Sequence, residues 1–249
     1  MKNIKSKFKK FFNKVLNIFF PEKLKCIFCS DDVPNFDEKP YCEECESVIP
    51  FNNGHKCKIC DMEILGQGEV CDFCKKNKRD FDRAYSPFKY ENEVRKVVLN
   101  FKSKNAKYLA EPMARMMLKD MPESMKNFDL IIPVPSSQKT IKERGYNQSE
   151  LLAREIGRIT GIEVNSEILI KHKETQAQKE LSFSQRKNNL KDAFKLISRK
   201  ELKDKNILLV DDVMTTCATA NLCGSLLKRH CNKVYVVVFA RNTIKSIKK

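Results

Sequence analysis

Eight of the eleven cysteines fall as four Cys-x-x-Cys pairs in the first third of the chain: Cys26/Cys29, Cys42/Cys45, Cys57/Cys60 and Cys71/Cys74. The pairs are separated by 12, 11 and 10 residues. A Cys-x-x-Cys turn lets two thiolates reach one ion, and two such turns complete a tetrahedral shell of four sulfurs. The intervals suit a short hairpin between turns, so the spacing predicts two structural Zn²⁺ sites in a double zinc ribbon. Sequential pairing is expected, Cys26/Cys29/Cys42/Cys45 and Cys57/Cys60/Cys71/Cys74, although a crossed arrangement also fits the spacing. So few large apolar side chains lie between these cysteines that the segment needs the metal to fold. Paired rather than scattered cysteines, with no secretory signal before them, indicate metal in a reducing compartment. The expected location is therefore cytoplasmic.

The 249 residues allow one large or two small domains, and 41% hydrophobic content supports a packed core. No uncharged apolar run reaches the ~18 residues of a membrane span. Forty-eight basic against 32 acidic residues give a net charge of +16, which favours polyanionic partners such as nucleic acid or an anionic membrane. Much of that excess is lysine, which also accumulates without function. Residues 1–22 form the first segment: Ile4, Phe8, Phe11, Phe12, Val15 and Phe19 share one helical stripe with lysines largely off it, and Pro21 ends it. A basic amphipathic helix of this kind either packs on its own protein or makes a peripheral contact with the inner membrane surface through residues 1–20. Residues 23–78 form the ribbons, and residues 84–242 a larger domain.

Within that domain the pattern predicts a strand over Ala84–Tyr90, helices over Glu93–Phe101 and Ala106–Met121, and a buried strand from Leu130 to Pro135. A loop from Ser136 to Arg144, carrying Lys139, Lys142 and Arg144, a helix over Asn147–Thr160 and a strand over Ile168–Lys171 follow. The long polar stretch Thr175–Asn189, which contains Arg186, reads as either a lid or a solvated helix. The stretch Ile207 to Thr219 carries the chemistry. Four apolar residues, Ile207–Val210, read as a strand buried on both faces, and Asp211 and Asp212 follow where open α/β sheets place ligands. Thr215, Thr216, Cys217, Ala218 and Thr219 then turn into a helix running to Arg229, and Lys233–Ala240 is a last strand. Amides and hydroxyls at a helix N-terminus cradle phosphate, while carboxylates accept hydrogen bonds from sugar hydroxyls or orient a hydrated metal. Phosphate beside a diol indicates a phosphorylated pentose. A receiver-domain acid pair would need about 100 residues after it, and only 37 follow Asp212. Strands alternating with helices argue a doubly wound, mainly parallel α/β sheet.

The stretch from Ile207 resembles the signature of type I phosphoribosyltransferases, with one departure: Cys217 stands where that family has glycine. A side chain there costs on the order of 1–2 kcal/mol if φ is positive. Two outcomes are therefore expected: φ stays negative and binding survives, or φ is positive and the site is weakened. Cys223 and Cys231 read as packing residues.

The whole order of parts is similar to the ComF family, in which a double zinc ribbon precedes a phosphoribosyltransferase-like domain. The matching stretches are Phe20-Pro21 before the first cysteine pair, Ile132–Pro135, and Arg144-Gly145-Tyr146-Asn147-Gln148 with Ser149–Ala153. Thr175, Gln178, Leu181 and Ser182 match too, as do Arg186, Asn189, Leu190, Ala193 and Phe194, and the signature itself. That resemblance implies binding of phosphoribosyl pyrophosphate with Mg²⁺, pentosyl-group transfer to an acceptor it does not name, and a role with the DNA-uptake machinery in natural transformation. By the same resemblance Asp211 and Asp212 hold the ribose hydroxyls and Thr215–Thr219 the 5′-phosphate. Lys139 and Arg144 meet the pyrophosphate, and Arg186 in the lid is a further contact. No histidine is placed as a general base, which leaves Asp211 or Asp212. The alternative function is a non-catalytic factor that binds single-stranded DNA and uses the fold as sensor or scaffold.

Overall fold

The computed structural model describes residues 25–33, 39–103, 106–172 and 193–243. The amphipathic segment 1–22 and the stretch 175–189, with Arg186, lie outside the described residues. The chain divides into two compact units, Met1–Val48 and Ile49–Lys249, so the second cysteine group belongs to the same unit as the sheet.

The two cysteine groups are copies of one local design. In each, the first pair makes a tight turn: Ser30 N–H donates to Cys26 O at 2.9 Å, and Asp61 N–H to Cys57 O at 2.9 Å. Ser30 (φ 71°) and Asp61 (φ 61°) both take the left-handed conformation that reverses the chain after the second cysteine. Antiparallel bridges Lys25↔Asp32 and Lys56↔Glu63 flank these turns. The second pair opens a short helix, α1 (Glu43–Val48) or α2 (Asp72–Lys76). Between the second group's pairs, residues 61–70 carry only the single bridge residue Glu63, and each short helix begins one residue after the third cysteine of its group.

The second unit is built on a five-stranded sheet. β1 (Arg83–Tyr85) and β2 (Phe88–Lys89) both pair with β7 (Lys233–Arg241), which pairs with β6 (Asn206–Met214), which pairs with β3 (Leu130–Pro133). All of these pairings are parallel. The single strand expected over Ala84–Tyr90 is split because Ser86-Pro87 leaves the ladder, and proline cannot donate to it. β6 continues past both aspartates to Met214, its 207–210 segment fully buried, as an apolar run in a parallel sheet should be.

Alternate residues face opposite sides of the sheet. On one side Leu130, Ile132, Ile207, Leu209, Val234, Val236 and Val238 pack with α8 (Ala218–Leu227) and with all four cysteines of the second group. On the other lie α4 (Ala110–Lys119) and α7 (Gln148–Thr160), which also pack on each other. Helices thus cover both faces, as the doubly wound expectation requires. α3 (Asn92–Phe101) precedes α4 in sequence, and the short α5 (Glu123–Lys126) and α6 (Gln138–Arg144) run between α4 and α7. The segment expected as a loop from Ser136 to Arg144 is largely helix α6, capped by Ser137, whose hydroxyl accepts from Thr140 N–H at 3.2 Å. β4 (Leu169–Lys171) also departs from expectation: it pairs antiparallel with β5 (Phe194–Leu196) in a separate two-stranded sheet.

The second cysteine group is joined to the sheet by its backbone. Ala84 N–H donates to Ile59 O at 2.7 Å, and the buried Asp61 carboxylate accepts from Ser86 N–H at 2.9 Å and Asn52 Nδ2 at 3.0 Å. Burial pushes Asp61 up to about 6 even with Lys56 3.3 Å away. α8 crosses the preceding linker closely enough that a Cβ on Gly224 would lie 2.4 Å from Asp80 O.

Candidate functional site

Asp211 and Asp212 sit near the carboxyl end of β6, and each is already engaged. The Ser149 hydroxyl donates to Asp211 Oδ1 at 2.7 Å, and the Asp212 amide donates to the same oxygen at 2.9 Å. Asp212 Oδ2 pairs with Lys102 Nζ at 2.9 Å, and its Oδ1 accepts from Val213 N–H at 2.7 Å. Burial first, and then the adjacent Asp212 carboxylate, push Asp211 up to about 7. Burial works against the Lys102 charge, but the Asp212 carboxylate outweighs it and holds the ammonium above the usual lysine range.

Two helix ends deliver these partners. Asn147 caps α7: its side chain accepts from Ser149 N–H at 3.2 Å and from Ser136 Oγ at 2.9 Å, and donates to Val134 O at 3.1 Å. That ties the exit of β3 to the start of α7 and aims Ser149 at Asp211. The Tyr146 hydroxyl donates to Phe101 O at 2.8 Å, fixing the end of α3 from which Lys102 reaches Asp212. Arg144 Nη1 donates to Gln148 Oε1 at 3.0 Å, one residue from Ser149, while Gln148 Nε2 is buried with no partner among the described residues. Lys139 is exposed on α6. The cation on the acid pair among the described residues is therefore Lys102, which the sequence reading passed over. Its signal was a lysine closing the helix predicted over Glu93–Phe101.

Beyond β6 the chain turns through Thr215 and Thr216 into α8. Cys217 is the N-cap, and no side chain caps the helix. Its carbonyl accepts from Asn221 N–H at 2.8 Å, so the amides of Ala218, Thr219 and Ala220 have no partner within the helix. A cavity of about 30 Å³ lies at this point, lined by Asp211, Thr215, Thr216, Cys217, Ala218 and Thr219 among others. Uncapped amides at a helix start, beside a cavity, are suited to an anion.

Cys217 does not keep the negative φ of the first expectation. Its φ is 64° and ψ 8°, the conformation that favours glycine, and the residue is buried, 3% exposed. It packs against Arg241, whose Nη1 and Nη2 lie 3.8 and 3.9 Å from Sγ. The Cys60 sulfur beside it, together with Arg241 and Arg79, draws the thiol down to about 6 against the effect of burial.

Both cysteine groups fit a tetrahedral metal. Their sulfurs lie within 4.8 Å of one another, in the sequential pairing. Cys29 Sγ is 3.6 Å from Cys42 Sγ, and Cys60 Sγ is 3.7 Å from Cys71 Sγ. A tetrahedron with metal–sulfur bonds of about 2.3 Å has edges of about 3.8 Å. The donor sets are compatible with structural zinc.

No family model matches the chain. Among curated proteins it is 28% identical over 224 residues to "Competence protein F" of Haemophilus influenzae, covering 86% of this chain and 94% of that one. It is 26% identical over 228 residues to "Competence protein ComFC" of Bacillus subtilis, with coverages of 82% and 89%. It is also 26% identical over 179 residues to "DNA utilization protein YhgH" of Escherichia coli K12, with coverages of 70% and 78%. A solved structure described as the allosteric regulatory enzyme of purine biosynthesis is 18% identical at a TM-score of 0.35, spanning 57% of this chain and 26% of that chain. That likeness carries no argument. With the ordered motifs, these relatives support a ComF-family assignment.

Proposed function

We propose that the β6–α8 turn binds phosphoribosyl pyrophosphate together with Mg²⁺, and that the chain is a phosphoribosyltransferase-type protein acting in DNA uptake. The observation that carries this reading is the juxtaposition of an acid pair with an uncapped helix start in one corner of the sheet. The free amides of Ala218 to Ala220, with the hydroxyls of Thr215, Thr216 and Thr219, take the 5′-phosphate. Asp211 and Asp212 accept from the ribose hydroxyls, and Lys102, 2.9 Å from Asp212 Oδ2, holds that carboxylate in place. The two cysteine groups hold Zn²⁺. The competence and DNA-utilization names of the relatives support the link to DNA uptake.

Transfer displaces pyrophosphate from the anomeric carbon by a nitrogen nucleophile, so positive charge grows on the ring and negative charge on the leaving group. Mg²⁺, when bound, neutralises part of that negative charge. By the family resemblance Arg144, Lys139 and Arg186 would meet the leaving group, which requires Arg144 to release Gln148. Asp211, with its carboxyl poised near neutrality, is the base that takes a proton from the nucleophile. Calorimetric titration of phosphoribosyl pyrophosphate with Mg²⁺ tests this. Wild type is expected to bind and the Asp211→Asn/Asp212→Asn double variant to lose at least ~100-fold; equal binding by both would remove the acid pair from the site.

A second reading, single-stranded DNA binding, is favoured by the net charge of +16 and by a cavity of about 570 Å³ near the turn, where Lys75, Arg79 and Phe73 line one wall. Its affinity should fall steeply with salt. Residues 1–20 would add peripheral contact with the cytoplasmic face of the inner membrane, read out by co-sedimentation of full-length and truncated chains with anionic liposomes.

A further inference from the structure

A non-glycine residue in the left-handed conformation costs on the order of 1 kcal/mol, so something must hold Cys217 there. The contacts that do so run to the second cysteine group. Arg241, 2% exposed, is in register with Met214 at the end of the signature strand, and Asn242 N–H donates to Met214 O at 3.1 Å. One Arg241 nitrogen donates to the Cys60 carbonyl, and two face the Cys217 thiol. Arg79 Nε donates to Cys74 Sγ at 3.4 Å while its guanidinium lies 4.8 Å from the Phe73 ring centre. A divalent ion held by four thiolates carries two net negative charges, and two guanidiniums stand against them. The second metal group, Arg79, Arg241 and Cys217 are therefore neighbours, and Thr215 and Thr216 line the same cavity as they do.

We propose that Cys217 is a positioning residue that tethers the phosphate turn to the second cysteine group, so that metal occupancy at Cys57/Cys60/Cys71/Cys74 and ligand binding at the turn are energetically linked. Metal in place fixes the Cys60 loop. The Cys60 loop, through Arg241, holds the Cys217 thiol, and the thiol holds the backbone of the turn in the conformation that leaves the helix amides free. Linkage is reciprocal, so a ligand at the turn must also retain the metal. The part of this that concerns ligand rests on the phosphopentose reading above; the coupling of metal to turn does not.

The test uses the zinc-loaded full chain. Hydrogen exchange of a peptide spanning the signature turn is followed with and without chelator, using Cys29→Ser protein, which lacks an intact first group, to isolate the second metal. Chelation is expected to speed exchange of the 215–220 amides by at least ~5-fold, and unchanged exchange overturns the tether. Zinc release to a coloured chelator is then timed with and without phosphoribosyl pyrophosphate and Mg²⁺. Ligand is expected to slow one of the two equivalents by ~5-fold or more. Cys217→Gly, which suits φ 64° without the thiol, is expected to lose that protection. Protection that persists in Cys217→Gly overturns the role of the thiol, as does slowing of both equivalents alike. If calorimetry shows no ligand binding while chelation still loosens the turn, the phosphopentose reading fails and the tether stands.

Discussion

The two cysteine groups share a chain geometry and differ in everything around it. In the first, Cys29 is exposed and donates to Asp31, and the described ion pairs beside it, Lys25–Asp32 and Lys39–Glu46, are at the surface. In the second, all four cysteines are buried in the apolar cluster of the sheet, with a guanidinium on Cys74 and another on the Cys60 carbonyl. Residue 30 is a serine in the first turn, but the matching residue 61 is an aspartate bonded to Asn52 and Ser86. The same metal-binding turn lies in a small unit of its own in one copy and in the core of the sheet unit in the other. The difference lies in long-range contacts rather than in the four ligands.

That contrast breaks most visibly at a ligand. Cys60→Ser is expected to lower the melting temperature of the sheet unit by about 10 °C or more, the shift that ~3–5 kcal/mol produces in a domain of this size. Cys29→Ser should leave that transition in place; scanning calorimetry of both variants decides it, and equal shifts would erase the distinction. Arg79→Met removes the hydrogen bond to Cys74, and loss of an outer-shell partner typically costs ~10–100-fold in metal affinity. Competition with a chelator should show that loss in one equivalent only. Gly224→Ala drives a methyl into Asp80 O where α8 crosses the linker, and urea unfolding of the sheet unit should register about 1–3 kcal/mol.

A smaller effect is electrostatic. Asp211 titrates near 7 when folded and near 3.8 as a free carboxyl, so between about pH 4 and 7 the folded chain holds a proton the unfolded chain has lost. Stability therefore falls as pH rises through that window. Asp211→Asn should flatten the dependence of the urea midpoint without abolishing it, because Asp61, at about 6, contributes with the same sign. The smallest change is expected for Lys39→Met, which removes an exposed pair with Glu46 and should alter neither metal's release rate.

Much of the site was legible because its parts are contiguous. Asp211, Asp212 and the Thr215–Thr219 turn follow one another, and a buried apolar run before them can only be a central strand. Lys102 and Ser149 were not legible as site residues: each reaches the acid pair from a different helix end, across separations of 110 and 62 residues set by tertiary packing. Lys139 and Arg144 were singled out for charge and nearness in sequence, yet α6 leaves one exposed and turns the other toward Gln148.

What the sequence alone determined was the set of eight ligand cysteines and the order of strand, acids and turn, because knuckle spacing and strand-to-helix chemistry act over fewer than about 20 residues; the structure decided that the pairs combine sequentially. Only the tertiary structure decided which cysteine group became core and how a cysteine could occupy a glycine's conformation. Both outcomes depend on Arg241 and Arg79, which approach from distant parts of the chain to balance buried sulfur charge. That balance is a property of the packed interior, where an unpaired charge is costly, and no local pattern encodes it.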